Sequence, residues 1–259
     1  MIVRPGSLLT SSRGTGEGTV TFSPTSVANL LFWANPSNLS TLFTDTAGTT
    51  PVTADGDYVA RINDAGGSGL YATQAGANQR MKYKTSGGLH WLEADTADGS
   101  TADHYAISTP ISLTNDMTIY HALHRSVAGG NNVGIADTTT SARYSAWWTT
   151  DNKIYAGLPT GLITGAADTA TGGHVLTTRR SNTGPTLTVR KSAVQYLNTS
   201  SGVGATAGSM QYLFRISGTY TSINNRVYGL AVYSAAHANA SSELTQLETY
   251  FGAKAGISI

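Results

Sequence analysis

Two stretches of the chain carry residue types that could do chemistry. Glu93-Ala94-Asp95-Thr96-Ala97-Asp98 gathers carboxylates into a short run. A glycoside hydrolase needs two carboxylates facing one bond, one as acid and the other as nucleophile or base. Glu93 has no glutamate to pair with, since the others are Glu17 near the start and Glu243 and Glu248 near the end. Ala94, Thr96 and Ala97 also lack the apolar alternation of a buried catalytic strand. The run therefore reads first as a solvated acidic loop. Its second reading is a calcium site. Asp95, Asp98 and Asp103 offer hard oxygen ligands, with Gly99 supplying a turn. The spacing is not that of an EF-hand loop, and Asp55-Gly56-Asp57 suits a turn equally well.

The second stretch is aromatic. Tyr144, Trp147, Trp148 and Tyr155 fall on one expected hairpin, and adjacent Trp147 and Trp148 must face opposite ways. Sugars present C–H faces that stack on rings, while their hydroxyls need amides and carboxylates. Asn131, Asn132 and Asp151 are near enough in sequence to serve. One indole is expected in the core and the other as a platform; the bland alternative packs both internally or at a subunit contact.

Other chemistries find little support. His121 and His124 are three apart on an expected strand, so they point to opposite faces and cannot clasp one metal. His90, His104, His174 and His237 are scattered. No Gly-x-Ser-x-Gly elbow occurs. Gly14-x-Gly16-x-Gly18 and Gly202-x-Gly204 lack the spacing and βαβ setting of a dinucleotide loop. With no cysteine, thiol chemistry and cysteine metal sites are excluded.

These residues must be positioned by strands. Of 259 residues only 12% are charged and 29 are glycine, a mixture that suits short strands and many turns and opposes helical bundles. A chain of this length buries roughly three quarters of its unfolded surface, enough for a core without staples. The net charge of +1 leaves no footprint for nucleic acid or acidic lipid. Met1-Ile2-Val3-Arg4-Pro5-Gly6 does not open a secretory signal. Leu30-Leu31-Phe32-Trp33-Ala34 is far short of the ~20 residues that cross a bilayer. A soluble protein made in a cytoplasm is expected, with no membrane insertion.

Period two dominates from Leu30 to Tyr233. Met117, Ile119, His121 and Leu123 alternate with Thr118, Tyr120, Ala122 and His124. Leu187 and Val189 alternate with Thr186, Thr188 and Arg190. Val227 to Tyr233 is apolar on both faces, as in a central strand. Asp151-Asn152 and Ser181-Asn182-Thr183-Gly184-Pro185 carry turn chemistry, and Ala128 to Asn132 reads as a loop. Many short strands at this spacing predict an all-β antiparallel sandwich or barrel. One helix is expected over 240–254, N-capped by Asn239 and ended by Gly256, with Leu244, Leu247 and Phe251 on one stripe. Residues 1–24 form a Gly-, Ser- and Thr-rich arm, expected to lie on its own domain or on a neighbouring subunit. Residues 25–259 make one domain.

Three stretches together resemble the concanavalin A-like (laminin-G-like) jelly-roll domains of bacteriophage and bacterial surface proteins. They are Leu31 to Phe43; Thr49 to Val59 followed by Ala72-Thr73-Gln74; and Arg226 to Tyr233 followed by Glu243 and Leu247-Glu248-Thr249-Tyr250-Phe251. Asn35 and Asn38 stand where that family commonly has Asp. The resemblance implies a two-sheet antiparallel jelly roll, and frequently carbohydrate binding or virion attachment. The expectation is a non-enzymatic virion protein of a bacteriophage, either a head decoration or fibre or a tail adhesin. It would be held to other virion proteins by the 1–24 arm, would assemble as a homo-oligomer and would touch a host-surface glycan. A free lectin is the alternative, a glucanase a weaker one, and nucleic acid is not expected as a partner.

Overall fold

The computed structural model describes residues 22–94, 103–113, 116–128, 135–136, 146–148, 151–158, 161–183, 185–200, 208–214, 225–239 and 241–259. The first strands are β1 (Leu30–Ala34), β2 (Leu42–Phe43), β3 (Arg61–Asn63), β4 (Tyr71–Thr73), β5 (Lys82–Ser86) and β6 (Leu89–Glu93). Two long strands follow, β7 (Tyr105–Leu113) and β8 (Met117–Arg125). Then come β9 (Ile135–Ala136), β10 (Ala146–Trp148), β11 (Lys153–Leu158) and β12 (Gly161–Ala167). The last are β13 (Gly172–Ser181), β14 (Thr186–Lys191), β15 (Val194–Thr199), β16 (Gly208–Leu213) and β17 (Asn225–Tyr233), ahead of the helix α1 (Ser242–Lys254).

All pairings between these strands are antiparallel. The largest sheet runs β15-β14-β13-β8-β17-β6-β5, with β1 also on β17. β1 pairs with the Leu230–Tyr233 end of β17 and β6 with its Arg226–Val227 end, so the two share one edge. A second sheet runs β2-β3-β4-β7-β16-β9, and a small third one β10-β11-β12. The expected sandwich is thus observed.

Alternation explains the layers. Phe32, Met117, Ile119, Leu230 and Val232 of the large sheet meet Leu42, Ile62, Tyr105, Ile107 and Leu213 of the second sheet in one core. On the same face, but beyond the second sheet, Leu123, Leu176, Leu187 and Val189 meet Trp148, Ile154 and Ala156 of the third. The opposite face of the large sheet presents Trp33, Tyr120, Val175, Tyr228 and Ala231 to α1. Covered on both sides, β8 and β17 are buried along almost their whole length. That is why β17 reads as continuously apolar. Each fully buried large apolar side chain here contributes roughly 1.5–3 kcal/mol.

The helix begins two residues later than its sequence suggests. Ser241, not Asn239, is the N-cap, its Oγ accepting from Leu244 N at 3.1 Å. Leu244, Leu247 and Phe251 are buried as expected. At the far end Ile257 N donates to Gly252 O and Gly256 N to Ala253 O, with Gly256 at φ +71°. This paired closure needs a left-handed residue, which glycine supplies without strain. Gly229 is needed for another reason: a Cβ there would sit 3.1 Å from the Phe251 ring. The last part of the arm packs at home, with Phe22 6.0 Å from the Tyr250 ring and Pro24 O accepting from Tyr233 Oη at 3.0 Å.

Candidate functional site

Of the residues singled out in the sequence, Trp147, Trp148, Asp151 and Tyr155 share one hairpin. Tyr144, Asn131, Asn132, Asp95 and Asp98 lie outside the described residues, and of Trp147 only its strand position in β10 is described. The expected hairpin forms, with Trp147 opposite Tyr155 and Trp148 opposite Ile154, and Asn152 turns it at φ +61°. Trp148 is the indole that enters the core. It is 0% exposed, so neither of its faces is offered to a sugar. Its Nε1 donates to Asp168 Oδ2 at 3.3 Å, and the Arg125 guanidinium lies 5.2 Å from its ring centre. Arg125 in turn donates to Asn152 Oδ1 and to the carbonyls of Asp168 and Ala170. Lys191 Nζ reaches Asp168 Oδ2 at 2.6 Å. These contacts tie the small sheet to the large one, which is a structural task. Tyr155 Oη donates to Asp151 Oδ2 at 2.9 Å, so these two partly exposed residues satisfy each other.

The other candidates are also occupied. Glu93 accepts from Trp91 Nε1 at 2.9 Å and sits 3.6 Å from Arg226 Nε, whose guanidinium lies 4.6 Å from the Trp91 ring centre. Asp103 is buried, at 2% exposure. Among the described residues no group of three or more His, Asp or Glu side chains could hold a metal ion. His121 and His124 do point to opposite faces. Both ring nitrogens of His121 are buried, and burial lowers its pKa to about 3.

A site that sequence reading missed lies on the outer face of the second sheet. Six residues in register form one row across all six strands: Phe43, Arg61, Thr73, Ala106, Tyr212 and Ala136. The neighbouring row, Leu42, Ile62, Ala72 and Ile107, faces the core. Period two therefore turns Phe43, Arg61, Thr73, Ala106 and Tyr212 outward. Asn63 pairs with Tyr71 on the same outer face, and Tyr71 N donates to Ser108 Oγ at 3.2 Å.

The row has bulk at two places and a low middle. On one side the Arg61 guanidinium lies 3.6 Å from the centre of the Tyr71 ring. Arg61 is fixed there by Nε donating to Asn63 Oδ1 at 2.7 Å and Nη1 donating to Ala47 O at 3.1 Å. On the other side Tyr212 packs edge-on against His104, ring centres 5.7 Å apart. Between them stand the small side chains of Thr73, Ala106 and Ser108, the last two exposed. Tyr71 on β4 and Tyr212 on β16 flank β7, so two strand spacings, about 10 Å, separate their strands. The loop beside Arg61 is stiff: Asp45 accepts from the amides of Gly48, Thr49 and Thr50, which hold its carboxyl well below the usual range.

No family model matches the chain, and no curated protein matches it in sequence. Solved structures do resemble it in fold. The binding domain of Paraclostridial mosquitocidal protein 1 superposes with a TM-score of 0.57 at 12% identity, over 86% of this chain and 52% of that one. The receptor-binding domain of botulinum neurotoxin D gives 0.53 at 6% identity, over 85% and 52%. The chain thus spans about half the length of either solved chain. Trypanosoma rangeli sialidase gives 0.48 at 10% identity, over 87% and 33%, a likeness too slight to bear on function. At these identities the similarity establishes a shared β-sandwich fold.

Proposed function

We propose that the chain is a non-enzymatic carbohydrate-binding module whose ligand lies across the outer face of the second sheet. The observation that carries this reading is the row Arg61-Thr73-Ala106-Tyr212, with Tyr71 stacked beneath or beside its guanidinium and small side chains in the middle. A pyranose needs a flat apolar contact for its C–H face and fixed polar groups for its hydroxyls, on a surface that admits it. Two tyrosines, a fixed guanidinium, Asn63, Thr73 and Ser108 supply both kinds of group on rigid strands. Two similar folds being described as binding domains is in keeping with this use. A non-enzymatic role is supported by Glu93, the carboxylate best placed by sequence for hydrolysis, being engaged by Trp91 and Arg226.

The finer reading places this module on a bacteriophage particle, attached through residues 1–24 to other virion proteins. The three family-like stretches support it. A glycan array tests the binding: the wild type should bind at least one glycan class, and Tyr71→Ala and Tyr212→Ala should each lose it while melting within about 4 °C of the wild type. Retained binding in both variants would move the site elsewhere. For the particle, deletion of residues 1–24 should abolish incorporation, and normal incorporation would remove the arm as anchor.

A further inference from the structure

We infer that this sheet face selects sugars bearing a carboxylate, an inference that rests on the carbohydrate-binding reading. Arg61 is the reason. Its Nε is spent on Asn63 and its Nη1 on the carbonyls of Thr46 and Ala47, all neutral acceptors. Among the described residues no carboxylate pairs with Arg61, and none accepts from its Nη2. A guanidinium held through Nε and Nη1 still has its Nη2 N–H groups to give, and a carboxylate is the acceptor that also matches its charge.

The surroundings preserve that charge. Asp45, the acidic residue of the adjoining loop, turns its oxygens into its own loop, accepting from Gly48 N at 2.6 Å, Thr50 N at 2.5 Å and the Thr49 hydroxyl at 3.0 Å. It does not neutralise Arg61. The Tyr71 ring, 3.6 Å from the guanidinium, holds the plane in place without competing for its N–H groups. Asn63 and Ser108 lie in the adjacent row, where a ring hydroxyl beside the acid group would fall. A row with only aromatic and neutral side chains would take neutral sugars equally well. The lone cation is what makes it discriminate.

Equilibrium binding of four probes tests the inference: trigalacturonic acid against its methyl ester, and sialyllactose against lactose. The first pair presents a uronate and the second a sialate, so the source of the carboxylate is distinguished. The wild type should bind one acidic probe roughly tenfold tighter than its neutral counterpart, with the advantage shrinking as salt rises. Arg61→Gln should abolish that preference. Arg61→Lys, which keeps the charge but cannot reproduce the separate Nε and Nη1 contacts, should keep only part of it, and unchanged melting temperatures of both variants guard against a folding artefact. Tyr212→Ala should weaken acidic and neutral probes alike. Equal affinity within both pairs, or a preference that survives Arg61→Gln, would overturn the inference while Tyr212-dependent binding still upheld the carbohydrate reading. Binding of none of the four probes, with no signal on a glycan array, would overturn both.

Discussion

Glu248 of α1 and Arg190 of β14 form a two-point ion pair beneath the helix, with Nε to Oε1 at 2.8 Å and Nη2 to Oε2 at 3.0 Å. Thr177 Oγ1 adds a third hydrogen bond to Oε1 at 2.9 Å. The Glu248 side chain is 1% exposed and that of Arg190 16%, so the pair pins α1 to β13 and β14 in a setting that water hardly screens.

Removing one partner of this pair should be costly and removing both should not. Glu248→Ala leaves a guanidinium uncompensated and is expected to lose about 3 kcal/mol. The double variant Glu248→Leu with Arg190→Met replaces the charges by apolar volume and should recover most of that loss. Urea unfolding of the three proteins checks it. Equal destabilisation in the single and double variants would mean that packing of α1, and not the charge, is what matters.

The buried histidines make the fold acid-sensitive. Burial lowers the pKa of His121 to about 3 and, with Lys191 nearby, that of His174 to about 4; burial lowers that of His237 as well. In the unfolded chain all three titrate near 6.5. Above that pH neither state gains a proton and the histidines do not affect stability. As pH falls below about 6.5 the unfolded state takes up protons that the folded state refuses, so stability drops until about pH 3. Between about pH 6 and pH 4 His121 contributes a slope that approaches about 1.4 kcal/mol per pH unit. His121→Leu, which removes two buried unpartnered nitrogens, should raise stability at pH 5 and flatten the melting-temperature profile between pH 6 and pH 4. An unchanged slope would exonerate His121.

Trp148 and the sheet-face tyrosines should separate stability from binding. Trp148 is fully buried, with Nε1 on Asp168. Trp148→Ala is therefore expected to cost about 3–5 kcal/mol, with any loss of binding following loss of fold. Tyr71→Ala and Tyr212→Ala remove partly exposed rings and should shift stability by about 1 kcal/mol or less. Thermal melts read beside the binding curves decide it. A Trp148→Ala protein that melts normally but loses ligand would return the site to the hairpin.

The contrast shows where sequence is legible. Strands β8, β14 and β17, the Asp151-Asn152 turn and the Leu244-Leu247-Phe251 stripe are local patterns, and each is found where its period or turn chemistry puts it. The stretch Arg61-Ile62-Asn63 also shows its alternation, as do Tyr71-Ala72-Thr73 and Tyr105-Ala106-Ile107-Ser108. What they do not show is that Arg61, Thr73, Ala106 and Tyr212 share one row, because register between strands so distant in sequence depends on long-range pairing. The hairpin aromatics drew attention because they were close in sequence, and of these Trp148 is given over to packing.

Asp64 should prove to be the anchor of the β3–β4 connection. Its Oδ1 accepts from Trp33 N at 2.7 Å and Gly66 N at 2.9 Å, and its Oδ2 from Ser68 N at 2.7 Å. One buried carboxylate thus fastens β1 to a glycine-rich turn. Asp64→Ala orphans three amides and is expected to cost about 3 kcal/mol. Asp64→Asn, which keeps an acceptor at one oxygen and presents a donor where the other stood, should fall between. Amide exchange at Trp33, Gly66 and Ser68 reports on this directly: all three should lose protection in Asp64→Ala, and protection that persists would mean the turn is held by backbone pairing alone.

The N-terminus of α1 offers the sharpest comparison between two neighbouring candidates. A side-chain cap satisfies an amide that the first turn leaves unpaired, and its loss costs about 1 kcal/mol. Ser241 Oγ accepts from Leu244 N at 3.1 Å and its carbonyl from Thr245 N at 3.1 Å, which fixes the start of the helix at Ser242. Asn239 is exposed and lies two residues ahead of that cap. Ser241→Ala should therefore lower stability by about 1 kcal/mol, while Asn239→Ala should change it by less than about 0.5 kcal/mol. Ser241→Asp should restore or exceed the wild type, since its carboxylate both caps the amide and meets the positive end of the helix dipole. Chemical denaturation of the three variants at one pH suffices. Should Asn239→Ala prove the more damaging change, the first turn would have to begin further upstream.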